Sequence, residues 1–268
     1  MHSNIQIKTD TQLYDALQLV VEEQKHITNA LISYDQFSSG VCEIDINSPV
    51  STARSGNTTP QSLDPVVRNK KVKDDRIQRV QELFAETIAP YSTEDVDRSE
   101  PLSVTICEEF GEGIALALST STNSRFTSNL KQAILLATAQ SQAELQVMKR
   151  GLEIEEESLR ESISDCEMIA DWLSTDQPLT QIADFDELNR RRKALSDHLQ
   201  RCEQLAVERQ STIHSTTKND VSNGLSHGLL VEYLYQPLST EYPVLSAVVQ
   251  LNKQCLNQKK SIDGFNID

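Results

Sequence analysis

Glu23-x-x-His26 is the first spacing in this chain that could do chemistry, because a carboxylate and an imidazole three apart share one helix face and can share one metal ion. A di-iron bundle site needs two such pairs and two further inward glutamates. No second Glu-x-x-His occurs, so the pair reads as part of a solvated helix face. His198 and Cys202, four apart, could grip zinc, but two ligands do not complete a tetrahedral site and no other ligand pair stands nearby. A core cysteine beside a surface histidine is the better account.

Two basic runs, Arg190-Arg191-Arg192-Lys193 and Lys70-Lys71-x-Lys73, could meet phosphates. Each has acids alongside, and neither is interleaved with aromatics of the kind that stack on bases. Helical salt bridges and a solvated linker are therefore expected. The sequence holds no phosphate loop, dinucleotide fingerprint, nucleophile elbow or His-Glu-x-x-His. Of its five histidines, three lie in or beside linkers or the N-terminus, which leaves general acid–base catalysis little to build on. No catalytic, cofactor-binding or metal-ligating residue is assigned and no cofactor is expected.

Composition sets further bounds. The formal net charge of −15 argues against general affinity for nucleic acid or an anionic membrane, since both need a positive field. It suits a protein kept soluble by self-repulsion, or one in a salty cytoplasm where carboxylates are screened. The longest apolar stretches, Ile114–Leu118 and Ala133–Ala137, fall far short of the roughly 20 residues of a membrane span. Met1-His2-Ser3-Asn4 lacks the basic start and apolar core of a signal peptide, so a cytoplasmic location is expected. The five cysteines are dispersed without a Cys-x-x-Cys pair and read as small buried hydrophobes.

The elements that would position these residues are helical. A first helix is expected from Asp10 to about Gln36, capped by Asp10 or Thr11, with Leu13, Leu17, Val20, Val21, Ile27, Ala30, Leu31 and Tyr34 on one face. A Ser/Thr/Asn/Gly/Pro-rich linker follows from Ser38 to about Asp64, in which Cys42, Ile44 and Ile46 could form a short extended piece. A second helix runs from about Pro65 to Ala89, where Pro90 stops it. The next opens at Ser99-Glu100-Pro101 and carries Leu102, Ile106, Phe110, Ile114 and Leu118, with Gly111 and Gly113 inviting a bend. The last opens at Thr240-Glu241-Tyr242-Pro243.

Between them lie two seven-residue ladders: Leu145, Leu152, Leu159, Cys166 and Leu173, then Phe185, Arg192, Leu199, Ala206 and Ile213. Across a turn at about 175–184 containing Pro178 they pair antiparallel. Leu173 faces Phe185, Leu159 faces Leu199 and Leu145 faces Ile213, as in a coiled-coil hairpin. In the second seam of this register Ala170 faces Leu188, Glu156 faces Cys202 and Lys149 faces Arg209, giving a dry tip and a polar base. Cys166 faces Arg192, so Cys202 lies roughly 15 Å further along and no Cys166–Cys202 bridge is expected. The apolar layers do not offset the entropy of ordering both arms, so the hairpin should need the head, a second copy or a partner.

The fold expected is all-α, a helical bundle head with a long antiparallel coiled-coil hairpin. Its parts are an N-terminal helix (1–37), a flexible linker (38–64), a helical head (65–145), the hairpin (146–213), a second linker (214–228) and a C-terminal helical segment packing on the head (229–260).

Three groups of residues together carry a resemblance. They are Glu100-Pro101-Leu102 with Glu109-Phe110-Gly111 and Ile114–Leu118; Phe185-Asp186-Glu187-Leu188 with Arg201-Cys202-Glu203 and Arg209-Gln210; and Thr240-Glu241-Tyr242-Pro243-Val244-Leu245-Ser246-Ala247. Through them the chain, outside its two linkers, resembles a haloarchaeal domain-of-unknown-function family of acidic coiled-coil helical proteins. That resemblance implies the helical fold and a halophilic setting, and it assigns no activity and no functional residue. The leading functional expectation is a cytoplasmic scaffold or protein–protein interaction module, with a second copy or another protein as partner and neither membrane nor nucleic acid. A regulatory module acting near DNA through a partner, and an enzyme with dispersed carboxylates, are the alternatives.

Overall fold

The structure, a computed structural model, describes residues 2–46, 74–92, 101–119, 125–175, 185–215 and 226–265. Among these residues the chain is all helical, with no strand: α1 (His2–Glu43), α2 (Asp75–Thr87), α3 (Ala89–Ser92), α4 (Leu102–Phe110), α5 (Glu112–Leu118), α6 (Ser128–Thr175), α7 (Phe185–His214), α8 (His227–Leu234) and α9 (Pro243–Phe265). Lys70-Lys71-x-Lys73, Pro178 and the turn at 176–184 lie outside the described residues. None of the described helices is long and apolar enough to cross a membrane.

Helices divide between two compact units, one of residues 26–146 and the other of residues 1–25 and 147–268. In the first, α1 does not end near Gln36. Its apolar stripe continues through Ala30, Tyr34, Phe37 and Val41 at three- and four-residue steps, all buried, and the helix follows the stripe to Glu43. Nor is there a cap at Asp10 or Thr11, since the helix runs through both. Cys42 is therefore helical, and Ile44 and Ile46 leave the helix to pack on the core. Three rings form its centre: Phe37, Phe84 and Phe110 lie 5.4–5.9 Å apart, with Phe84 edge-on to the other two.

The second helix begins at Asp75, because Asp74 caps it by accepting from the Arg76 amide at 3.2 Å. The same carboxylate takes the Phe126 amide at 2.9 Å, while Arg76 donates to the Ile46 carbonyl at 2.7 Å. One capping residue thus joins three stretches of chain. Pro90 does not end the structure but sits in the first turn of α3, where its missing N–H costs nothing. The break between α4 and α5 falls at Gly111, whose φ of 84° suits glycine alone.

In the second unit, α6, α7 and α9 lie side by side with the N-terminal part of α1. Gln24 of α1 donates to Glu156 of α6 at 2.8 Å, and Tyr14 donates to Glu167. The antiparallel run of α9 along α7 is marked by Lys259–Ser196 at 2.9 Å and Arg192–Asp263 at 3.0 Å. The C-terminal segment, expected on the head, therefore belongs with α7, where Val244, Val248, Leu251 and Cys255 are buried.

Register departs from the sequence expectation. Arg209 pairs with Glu155, not Lys149, and Arg201 pairs with Asp165. The arms are offset by six residues at the Arg209–Glu155 pair, about 9 Å at 1.5 Å per residue. Glu156, expected opposite Cys202, turns toward α1 instead. On α6 the ladder Leu152, Leu159, Cys166 and Leu173 is buried. On α7 the buried positions are Leu195, Cys202, Leu205, Arg209 and Ile213, whereas Phe185 is 63% exposed and Arg192 reaches outward to Asp263. The physical reason is the third helix: α7 must serve both α6 and α9, so its apolar face is turned away from the ladder that two strands alone would select.

Candidate functional site, a buried carboxylate clamp beside a groove

Glu155 lies three residues after Leu152 and four before Leu159, which places a carboxylate on the buried stripe of α6. Arg209 lies seven after Cys202 and four before Ile213, which places a guanidinium on the buried stripe of α7. They meet in the core, with side chains 0% and 2% exposed. Arg209 Nη1 donates to Glu155 Oε2 at 2.9 Å and to Ser158 Oγ at 3.0 Å, and Nη2 donates to Glu155 Oε1.

Helix α8 closes the network from both its ends. Ser226 caps it, accepting from the Leu229 amide at 3.3 Å, and so places His227 in the first turn. His227 Nε2 stands 2.8 Å from Glu155 Oε2, and an ionised carboxylate only accepts, so the ring carries its proton on Nε2. Tyr235, at the other end, donates its hydroxyl to Oε1. The helix approaches α6 closely at Gly151, where a Cβ would stand 2.9 Å from Leu230.

Burial alone would lift the Glu155 carboxyl, but the hydrogen bonds from His227, Arg209 and Tyr235 and the guanidinium charge outweigh it and hold it at about 2. Burial likewise opposes the Arg209 charge, and the Glu155 partner raises it above its ordinary value. Burial and the adjacent carboxylate push the Tyr235 phenol up. The cluster is thus a carboxylate and a guanidinium with a neutral phenol, and its buried polar side-chain atoms all have partners. Such a set positions helices, since both oxygens of the one carboxylate are taken up by donors from α7 and from the two ends of α8.

Beside the clamp runs a groove of about 750 Å3 between α6 and α7. Buried Leu205, Ser162 and Arg209 form its floor, and Ile154, Glu157, Glu161 and Glu208 stand at its rim. Across it Arg201 bonds Asp165 and reaches Glu208 at 3.4 Å.

The residues singled out from sequence fall elsewhere. His26 meets Tyr91 at 6.2 Å between ring centroids, and no group of three or more metal-capable side chains occurs among the described residues. Cys202 is buried, while His198 turns to Trp172 on α6, 4.8 Å away, instead of sharing a site with it. Burial pushes the Cys202 thiol up to about 11 and that of Cys255, with Cys202 nearby, to about 12, so both are poor nucleophiles. Cys166 and Cys202 are free thiols. In the basic run, Arg190 and Arg191 pair with Glu187 at 2.9 and 3.6 Å, and Arg192 is taken by Asp263.

Sequence reasoning missed Glu155 and dismissed His227 as a linker residue. A signal existed for the first: Glu155 falls on the three- and four-residue stripe of Leu152 and Leu159, and setting it against Arg209 yields the observed register. No spacing signal marks His227, which reaches the clamp only through the tertiary fold.

No curated protein and no solved structure matches the chain. A family model described as a domain of unknown function (DUF7260) matches residues 11–259, and the chain belongs to that family.

Proposed function

We propose that this chain is a cytoplasmic helical protein–protein interaction module whose binding face is the α6–α7 groove. The observation that carries the reading is the pairing of that groove with the closed clamp beneath it. Arg209 belongs to both: it lines the groove beside Ser158, which accepts from it, and is fixed from behind by Glu155. A surface whose floor is held in one register presents a constant shape to a partner, which reduces the ordering cost of binding. The free, dispersed cysteines fit a reducing compartment, and the net charge of −15 fits a halophilic one.

Affinity capture under the native salt of the host tests this. Partner recovery should fall when Glu157 and Glu161 are changed to lysine and persist when exposed Glu86 and Glu112, in the other unit, are changed likewise. Recovery that ignores the groove substitutions would refute the reading.

A further inference from the structure

We infer that the α6–α7 groove takes a basic amphipathic helix of about three turns from another protein. The inference rests on the interaction-module reading and adds the chemistry of the partner. From Ile154 to Asp165 the groove follows α6 over eleven residue steps, about 16 Å at 1.5 Å per step, or three helical turns. Two antiparallel helices with a furrow between them offer the ridges into which a third helix packs, and such a helix docks by apolar residues on one face. Leu205 on the floor and Ile154 at the rim supply the apolar contact.

Charge selects the sign of the partner. Arg160 is held by Glu156 at 2.6 Å, Arg201 is shared by Asp165 and Glu208, and Arg209 is neutralised by Glu155. Glu157 and Glu161, four apart along one wall, carry no ion pair among the described residues. The uncompensated charge of the groove is negative, so lysines or arginines flanking the apolar stripe complement it.

The test uses the full chain and a fluorescent peptide of about four turns, built of leucine and lysine in a 3.6-residue pattern with capped termini. A peptide of the same composition in scrambled order is the control. Fluorescence anisotropy should show binding of the patterned peptide, with about tenfold weaker binding to Glu157→Gln/Glu161→Gln and an unchanged affinity for Glu86→Gln/Glu112→Gln. Both double variants alter exposed side chains, and far-UV circular dichroism checks that each stays folded. The scrambled peptide should bind at least about tenfold more weakly than the patterned one.

Equal weakening by both double variants would mean diffuse attraction to an acidic chain and would overturn the inference. So would absence of binding, or self-association of the chain that the groove substitutions abolish, which would make a second copy the occupant. If the peptide fails while partner capture still depends on Glu157 and Glu161, only the chemistry assigned to the partner falls. If both fail, the interaction-module reading falls with it.

Discussion

Replacing Arg209 by methionine should destabilise the protein by about 3–5 kcal/mol, because it strands the Glu155 carboxylate in the core with only His227 and Tyr235 as donors. Glu155→Leu should cost a similar amount by stranding the guanidinium. The double variant Glu155→Leu/Arg209→Met removes both charges, and its loss should be no larger than that of either single variant. The coupling from the cycle is then about 3 kcal/mol or more. Urea unfolding followed by circular dichroism at constant salt gives all four values.

The same hydrogen bonds and charge make the clamp sensitive to acid. Glu155 falls from an ordinary 4.5 to about 2, and at ~1.4 kcal/mol per unit that is about 3 kcal/mol. The sign follows from the depressed folded value. This stabilisation is fully present above about 4.5 and is lost as the pH falls from there toward 2. Wild type should lose about 3 kcal/mol more than the double variant across that window. Losses that simply add, or an acid limb identical in the two proteins, would refute the clamp.

Phe185→Ser should cost under about 1 kcal/mol because the ring is largely exposed, whereas Leu195→Ala, at a fully buried position of the same helix, should cost about 2–5 kcal/mol in the same unfolding assay. The reverse order would restore the ladder expected from sequence. Asp74→Ala removes the cap of α2 and the acceptor of the Phe126 amide, and a loss of about 1–2 kcal/mol by urea unfolding is expected. Gly151→Val drives a side chain against Leu230 and should cost about 1–3 kcal/mol, with faster amide exchange in α8 than in α9. A neutral result would mean that α8 does not rest on Gly151.

The legible part of the fold was whatever depends on period within one helix. The stripe Leu152, Leu159, Cys166 and Leu173 marks the inner face of α6 regardless of its neighbours, and Tyr242-Pro243 marks the start of α9 through the fixed φ of proline. The end of α1 lies beyond the expected Gln36 although Ser38-Ser39-Gly40 resembles a linker locally. Phe37 and Val41, buried against the core, hold those residues helical. Gly40 serves that packing too, since a Cβ there would stand 2.9 Å from Leu83.

Choice of neighbour was a different matter. Two heptad ladders specify that helices can pair, but apolar layers are nearly interchangeable under a shift of one or two turns, so they select a register weakly. A buried charge is not interchangeable, because leaving it unpaired costs several kcal/mol. By itself, then, the sequence determined helices, inner faces, an acidic surface and the lack of any local catalytic motif. The tertiary structure alone decided that α9 shares α7 with α6, that Glu155 meets Arg209, His227 and Tyr235, and that a groove lies between α6 and α7. Those outcomes depend on side chains up to 80 positions apart competing for one buried carboxylate, and no local period encodes that competition.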